Sequence, residues 1–255
     1  ISGSAPLAKS LGEFFHAAGV LIAEGYGLTE TSAASCVNTL DKLRFGTVGP
    51  PLPGTRIRIA EDGEILIKGR GVMRGYHNLP GPTAEALDGD GWLHTGDIGH
   101  VEDGFVKITD RKKDLIKTSA GKYVAPQMLE RKLAVVCPYV SYALAHGDNR
   151  NFVSMLVALD PDAIRKWAEA HGLGGKSYAE LAGSPEVRAL VAPYIDELNE
   201  GISSWEQVKR WAILPADLTL ESGDLTPSLK LKRKAVEQKY RQQLDGFYEE
   251  TIVRV

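Results

Sequence analysis

The sequence predicts a mixed protein, α/β and then α+β, in two folded regions that a charged segment joins. Three observations lead to this prediction. Residues 46–109 alternate apolar and polar side chains in short runs, which is typical of β-strands. Residues 110–115 carry five charges in six positions. Residues 116–255 then combine two strand patterns with several helical ones, which indicates a compact α+β domain.

The composition is that of an ordinary soluble globular protein. The 255 residues include 43% hydrophobic and 25% charged side chains and suffice for one or two domains with hydrophobic cores. The net charge of −3 gives no general attraction to nucleic acid or to an anionic membrane, so a nucleic-acid partner is not predicted. Apolar runs stay shorter than the roughly 18 residues that a bilayer crossing needs. Peripheral contact with a membrane stays open.

The cysteines and the first residue indicate the compartment and the extent of the chain. Cys36 and Cys137 lack the paired spacing of a zinc site or of a disulfide framework. We therefore expect a cytoplasmic location. The chain opens on Ile1 without an initiating Met, and we expect a fragment of a longer protein.

The first 45 residues predict a helix, a strand and a glycine-rich loop. Apolar residues recur at helical spacing between Ala8 and Ala18, and Gly19 follows as a helix stop. The short apolar run Val20–Ala23 predicts a buried strand that leads into the segment Gly25–Glu30. A helix, a strand and then a glycine loop is the order in which α/β sheets present loops to ligands.

Residues 46–109 predict two hairpins. Thr55–Ile59 and Glu64–Lys68 alternate on either side of a Glu-Asp-Gly turn, and Ile98–Val101 and Phe105–Ile108 repeat the arrangement around a second Glu-Asp-Gly. A small barrel or a curled sheet is the expected result.

The residues beyond 115 predict helices around a strand pair. Their predicted elements are a helix over 126–136, strands over 140–145 and 152–159, a helix capped by Asp160 up to His171, a further helix over 184–205, and a helix start at Thr226–Pro227.

The segment Gly25–Glu30 has the chemistry of a nucleotide site. Glycines let the backbone approach a flat ligand, and the ring of Tyr26 offers a face to a base. Thr29 offers a hydroxyl to a phosphate oxygen, and Glu30 offers a hard oxygen ligand to Mg²⁺. A plain strand-to-helix turn with a capping Thr is the alternative.

Three further stretches carry polar chemistry. The two carboxylate oxygens of Asp97 can accept from two vicinal hydroxyls, as a ribose offers, although an Asp in a turn is often only turn chemistry. Four cations between residues 226 and 234 crowd a predicted helix start, which an anionic partner would offset. The alternative is a solvated basic face. Residues 170–177 satisfy a loosened phosphate-loop pattern but follow a helix, so we predict a flexible loop.

Together, Gly25–Glu30, His94–Asp97 and Asp110–Leu115 resemble the signature segments of the adenylate-forming superfamily. This superfamily includes acyl-CoA synthetases, firefly luciferase and the adenylation domains of nonribosomal peptide synthetases. The resemblance covers nearly the whole chain. In detail, the sequence is most similar to bacterial long-chain fatty acid:CoA ligases. It implies that residues 1–109 end a large AMP-binding domain, with 46–109 as its barrel-like part. Residues 110–115 are then a hinge, and 116–255 a small mobile C-terminal domain.

The resemblance also implies roles for individual residues in nucleotide binding. The adenine and the α-phosphate would lie against the segment Gly25–Glu30, with Glu30 placing the magnesium ion. Asp97 would bind the ribose, and Arg111 would be a second ribose or phosphate contact. The implied nucleotide-binding residues are Ser4, Ala5, Gly25, Tyr26, Gly27, Thr29, Asp97, Arg111 and Gly121.

Three lysines receive roles in the reaction. Lys113 corresponds to the hinge position, and Lys117 to a lysine that is important in the second half-reaction of luciferase-like members. Lys117 and Gly121 would belong to a hairpin that enters the active site for thioester formation. Lys230 corresponds to the C-terminal catalytic lysine of adenylation, with Lys232 as a rival because Leu229 replaces the usual glycine.

The function that the resemblance implies is the ATP-dependent activation of a long-chain fatty acid and its transfer to coenzyme A. ATP or AMP, Mg²⁺ and coenzyme A are the implied cofactors. A fatty acyl-AMP ligase that loads a carrier protein and a nucleotide-binding module without catalysis are the alternatives. The loop for the β- and γ-phosphates is expected upstream of Ile1, so we expect no activity from this chain alone.

Overall fold

The computed structural model describes residues 1–4 and 7–249, and the chain divides into two compact units. These are Ile1–Asp114 and Leu115–Val255. The division falls inside the charged segment 110–115. The hinge role of that segment and the domain limits stay predictions.

The first unit begins with helix α1 and a short strand pair. Helix α1 spans Lys9–Ala17 and leaves much of its predicted apolar face exposed, with Gly12 as its buried residue. The predicted strand at residues 20–23 was wrong. A strand needs a hydrogen-bonded neighbour, and in the described part of this region only Ser2 pairs, by a single bridge to Glu24. The pair forms later, between β1 (Gly25–Leu28) and β2 (Ala33–Val37), which run antiparallel.

The two predicted hairpins are confirmed and join into one antiparallel sheet. The four strands lie in the order β3, β4, β5, β6, with β3 and β6 at opposite edges. Val106 of β6 also exchanges backbone hydrogen bonds with Val48 and Gly49. The barrel-like or curled form of this sheet stays a prediction. A tight turn connects the two strands of each hairpin. In the second hairpin, Asp103 and Gly104 have φ of 49° and 80°, as expected of a two-residue turn. The elements are β3 (Thr55–Ile59), β4 (Glu64–Gly69), helix α2 (Pro80–Ala86), β5 (Leu93–Glu102) and β6 (Phe105–Arg111).

The second unit is a three-stranded sheet covered by helices. Strand β10 is the centre, buried at every position, antiparallel to β9 and parallel to β11. Asp160 caps helix α4 as predicted, because its carboxylate accepts from the amides of Asp162 and Ala163. The remaining elements are β7 (Ile116–Lys117), β8 (Tyr123–Val124), α3 (Pro126–Val136), β9 (Val140–His146), β10 (Val153–Leu159), α4 (Pro161–Ala170), α5 (Tyr178–Ala182), α6 (Pro185–Asn199), β11 (Val208–Ile213), α7 (Arg233–Lys239) and α8 (Arg241–Glu249).

Two predictions for this unit need correction. The helix predicted over 184–205 ends at Asn199, because Glu200 leaves the helical region and Gly201 has φ of 72°. Strand β11 follows and was not predicted, because charged residues interrupt its alternation. The helix start predicted at Thr226–Pro227 was wrong, since a tight turn occupies residues 226–230.

No helix in residues 1–4 and 7–249 has the length and apolar character that a membrane crossing requires.

Helix α3 offers a matched test of the second unit's core. Leu133 is fully buried there, whereas Val135 is half exposed on the same helix. We expect Leu133→Ala to lower the free energy of unfolding by about 2–5 kcal/mol, through lost burial and a cavity. Val135→Ala should change it by less than about 1 kcal/mol. Urea unfolding followed by circular dichroism measures both, and equal effects would contradict the packing described.

Candidate functional site

The segment Gly25–Glu30 is the first strand of a tight hairpin and the turn that follows it. A Cβ atom at Gly27 would lie 1.8 Å from the carbonyl oxygen of Ala33, so no other residue fits there. The predicted reason for this glycine was the approach of a ligand. In the structure, the close approach at Gly27 is made by the chain's own strand β2.

A buried threonine that the sequence analysis missed closes this turn. The Thr31 hydroxyl accepts from the Leu28 amide at 2.9 Å and lies 3.0 Å from the Ala33 carbonyl oxygen. The next residues, Ser32 and Ala33, have φ of 59° and 126°. Such strained conformations of non-glycine residues are concentrated at functional sites. They lie directly beside Thr29 and Glu30, the predicted phosphate and magnesium contacts.

Glu30 is held by the chain segment that follows β4. Its backbone carbonyl accepts from the Met73 amide at 2.7 Å, and its carboxylate accepts from the Tyr76 hydroxyl at 2.9 Å. This hydrogen bond raises the pKa of Tyr76, so the phenol keeps its proton. The carboxylate of Glu30 is thus oriented from one side by a neutral donor and retains its capacity for a cation.

Tyr26, Asp97 and Arg111 form one contact group. The Tyr26 hydroxyl donates to Asp97 Oδ2 at 2.5 Å, and Arg111 Nε lies 2.9 Å from Asp97 Oδ1. Asp97 is 3% exposed and Tyr26 is 8% exposed. The structure therefore brings together three of the predicted nucleotide-binding residues, although each carboxylate oxygen already has a protein donor. A ribose hydroxyl would share these oxygens, since each has two lone pairs.

Burial dominates the electrostatics of this group. It raises the pKa of the Asp97 carboxyl, although the Tyr26 hydrogen bond and the Arg111 charge act in the opposite direction. Burial and the neighbouring Asp97 charge raise the pKa of the Tyr26 phenol well above its ordinary value. The proton between the two therefore stays on the tyrosine. The half-exposed Arg111 supplies the positive charge that Asp97 requires.

A second buried carboxylate, Glu64, supports the group and was missed by the sequence analysis. Glu64 Oε2 lies 2.9 Å from Lys112 Nζ and 3.1 Å from His94 Nδ1, while Glu64 Oε1 accepts from the Gly96 amide at 2.9 Å. Burial acts to raise the pKa of Glu64, but these three donors outweigh it and the pKa is lowered. Glu64 thus links the charged segment to the part of strand β5 that carries Asp97.

The charged segment is not exposed throughout. Asp110 is buried where β6 pairs with β5, and its carboxylate accepts from the Arg111 amide at 2.6 Å. Lys112 also bridges to Asp62 at 2.7 Å. Lys113, the predicted hinge residue, is exposed in the short 3₁₀ turn Lys112–Asp114.

In the second unit, Lys117 and Gly121 lie on the β7–β8 hairpin, as the resemblance implied. The Thr118 amide donates to the Lys122 carbonyl at 2.9 Å, and Gly121 has φ of 75° in the turn. Lys117 is exposed, with Nζ 5.7 Å from the centre of the Tyr123 ring.

Lys230 ends an exposed turn of the same unit. The Thr226 amide donates to the Lys230 carbonyl at 2.8 Å, and Leu229 occupies the left-handed region with φ of 57°. The rival, Lys232, is also exposed and precedes helix α7. Both lysines stay candidates for the catalytic lysine of adenylation.

The remaining candidates lie at the start of the chain and in the glycine-rich loop. Ser4 has φ of 68°, whereas Ala5 lies outside the described residues. Residues 171–177 form a loop between α4 and α5, as predicted, and Ser177 caps α5. In the described part of the chain, no group of three or more His, Cys, Asp or Glu side chains could hold a metal ion.

Comparison with known proteins identifies the family. Residues 1–77 match the AMP-binding enzyme family, and residues 113–252, more than half of the chain, match the AMP-binding enzyme C-terminal domain. The chain belongs to the AMP-binding enzyme family. It is 42% identical over 250 residues to the long-chain-fatty-acid–CoA ligase FadD15 of Mycobacterium bovis. That alignment covers 97% of this chain and 41% of the relative, so the chain spans about two fifths of the relative's length.

Solved structures of AMP-binding enzymes have the same fold. The A domain of a carboxylic acid reductase from Segniliparus rugosus, in complex with AMP and a carboxylic acid, has a TM-score of 0.76 at 26% identity. The match covers 98% of this chain and 39% of that one. The A-PCP didomain of a carboxylic acid reductase from Segniliparus rugosus, with AMP, has a TM-score of 0.73 at 26% identity, over 98% of this chain and 34% of that chain.

Glu64 predicts a pH dependence of stability. Because its pKa is lowered in the folded chain, the ionised carboxylate contributes stability above its ordinary pKa of 4.5, and this contribution is lost as pH falls through the lower folded value. We expect Glu64→Gln to destabilise the first unit by about 1–3 kcal/mol near neutral pH and to flatten the acid limb of the stability profile.

Urea unfolding at successive pH values between about 3 and 7 measures this effect. Glu61→Gln is the matched control, since Glu61 is exposed in the turn before β4. A variant and a wild type with parallel acid limbs would contradict the role assigned to Glu64.

Proposed function

We propose that this chain is the C-terminal part of a long-chain fatty acid:CoA ligase. In the first step, the carboxylate of the fatty acid attacks the α-phosphorus of ATP, giving acyl-AMP and pyrophosphate. In the second step, the thiol of coenzyme A attacks the acyl carbonyl, giving the thioester and AMP. The observation that carries this proposal is the 42% identity, over 97% of this chain, to FadD15.

The first unit supplies the proposed nucleotide contacts. Asp97 and Arg111 would hold the ribose and a phosphate oxygen, and the ion pair between them (2.9 Å) sets their relative orientation. Thr29 would donate to the α-phosphate from the exposed side of the strained turn. Tyr26 has two proposed tasks, because its hydroxyl already fixes Asp97 while its ring would border the adenine.

The residues present fit a magnesium ion that is held jointly with the nucleotide. Glu30 offers one carboxylate, which Tyr76 orients. Phosphate oxygens would supply further ligands, as is usual for Mg²⁺ in ATP-dependent enzymes. The bound ion would neutralise charge that develops on the phosphates. Glu30 contributes orientation and one negative charge.

Three exposed lysines would act in the first step, in the change between steps and in the second step. Lys230 would offset the charge where the carboxylate oxygen meets phosphorus. Lys113 would be the position at which the backbone rotates when the second unit presents a different face. Lys117 and Gly121 would then serve thioester formation from the β7–β8 hairpin.

A carrier protein is the second candidate acceptor. It is favoured by the likeness to the A-PCP didomain of a carboxylic acid reductase, with a TM-score of 0.73. The whole protein should form a thioester with free coenzyme A if the first proposal holds. Transfer only to a phosphopantetheinylated carrier protein would favour the second, and AMP binding without turnover would leave a nucleotide-binding module.

Nucleotide binding by this chain is directly testable. We expect isothermal titration with a nonhydrolysable acyl-AMP analogue to detect binding that Asp97→Ala abolishes. Because Asp97 is buried, the second variant is Arg111→Gln, at a half-exposed residue, which should weaken binding at least about tenfold; circular dichroism checks that both variants are folded. Asp90→Ala, at an exposed carboxylate of the same unit, is the control. Binding that survives both site variants would contradict the proposed ribose contacts.

Turnover is expected of the whole protein and not of this chain. The chain spans 41% of its relative's length, so with ATP, Mg²⁺ and palmitate it should release no pyrophosphate, whereas the whole protein should. A coupled pyrophosphate assay distinguishes them. Release by the chain alone would refute the assignment of the missing phosphate contacts to the rest of the protein.

A further inference from the structure

The turn that carries Lys230 has little regular structure of its own. Thr226 closes it with three hydrogen bonds: its amide donates to the Lys230 carbonyl, its carbonyl accepts from the Leu229 amide, and its hydroxyl accepts from the Lys230 amide. A single antiparallel bridge joins Leu225 and Leu231. Its residues from Pro227 to Lys230 are exposed. These local contacts set the shape of the turn, whereas its location depends on one hydrogen bond from the Tyr142 hydroxyl to the Leu229 carbonyl at 3.3 Å and on how its two ends are fixed.

An ion pair fixes the C-terminal end. Arg233, the first residue of helix α7, donates from NH2 to both carboxylate oxygens of Glu130 on helix α3, at 2.6 and 2.8 Å. Its NH1 donates to the Ala145 carbonyl at 2.9 Å. The Glu130 carboxylate also accepts from the Ala145 amide at 2.7 Å. The two side chains are only 19% and 13% exposed.

Asp224 fixes the N-terminal end. It is 2% exposed and accepts from Lys239 Nζ at 2.7 Å and from the Ser222 hydroxyl at 2.5 Å. Its backbone carbonyl accepts from the Lys232 amide at 2.8 Å. A partly buried ion pair thus fixes each end of the segment that contains Lys230.

The type of contact points to positioning more than to stability. A buried ion pair often gives no more stability than apolar residues of the same size, because both charges lose their hydration. What it gives is direction, since a guanidinium and a carboxylate meet in few orientations. Arg233 lies three residues after Lys230, and α3 and β9 together hold Arg233 on three hydrogen bonds. The orientation of Arg233 therefore sets the position of the backbone at Lys230.

We infer that Glu130 and Arg233 form a clamp that positions Lys230 for adenylation. Both are positioning residues, and this role rests on the proposed function of Lys230. Because Lys230 is proposed to act only in the first step, the clamp should matter to acyl-AMP formation and not to thioester formation. A displacement of about 1 Å at a catalytic group can cost up to a hundredfold in rate.

The test separates the two steps in the whole protein. ATP–pyrophosphate exchange with palmitate measures adenylation, and thioester formation from supplied palmitoyl-AMP and coenzyme A measures the second step. Arg233→Lys keeps the charge but cannot contact Glu130 and the Ala145 carbonyl with two separate nitrogens. We expect it to lower the exchange rate at saturating substrate about tenfold to a hundredfold. Thioester formation should stay within about twofold of the wild type.

A double variant distinguishes positioning from stability. Glu130→Gln with Arg233→Met removes both charges and leaves neither unpaired, so the melting temperature should stay near that of the wild type, while exchange stays low. Asp162→Asn, in an exposed ion pair with Arg165 on helix α4, is the control and should change neither rate. Equal loss of both steps, or recovery of exchange in the double variant, would overturn the clamp.

Lys230→Ala separates this inference from the proposed function. If it abolishes exchange and the clamp variants do not, the clamp fails and the role of Lys230 stands. If Lys230→Ala leaves exchange unchanged, both the role of Lys230 and the clamp fail. A wild-type protein without exchange or thioester formation would refute the proposed ligase itself.

Discussion

A carboxylate that leaves water needs hydrogen-bond donors or a cation around it, and this requirement fixes the functional segments of both units. Asp97 gathers Tyr26 and Arg111. Glu130 gathers Arg233 and a backbone amide. In each case the donors come from elements far apart in sequence. The ionised group therefore specifies which strands, helices and turns meet, more narrowly than apolar packing alone does.

In this chain, the residues that hold the backbone in place are buried, and the residues proposed to act in the reaction are exposed. We call the first group anchors and the second group actors. The anchors, such as Glu64 and Asp224, are at most 3% exposed and hold the chain on either side of a turn. The proposed actors, Lys113, Lys117 and Lys230, are exposed. This division suits the two-step reaction proposed above, because exposed side chains are accessible to a ligand while the buried residues hold the backbone beneath them.

Much of the fold and part of the candidate site could be predicted. Alternation gave both hairpins, and the spacing of turn residues gave α3 and the capped helix α4, because these depend on neighbours in sequence. The strand at 20–23 and the helix at Thr226 failed because each required a partner or a backbone conformation that local pattern does not report. Strand β11 was missed because its stability comes from pairing with the buried strand β10.

The sequence by itself determined the family resemblance, the two regions and the residue types that suit a nucleotide. Only the tertiary structure decided how these residues are held. It placed the Tyr26 hydroxyl on Asp97, made Gly27 a requirement of the chain's own hairpin, and brought Glu64 and Glu130 to the donors that they need. The physical reason is that burial and charge pairing depend on distance in space, whereas the patterns that the sequence displays depend on distance along the chain.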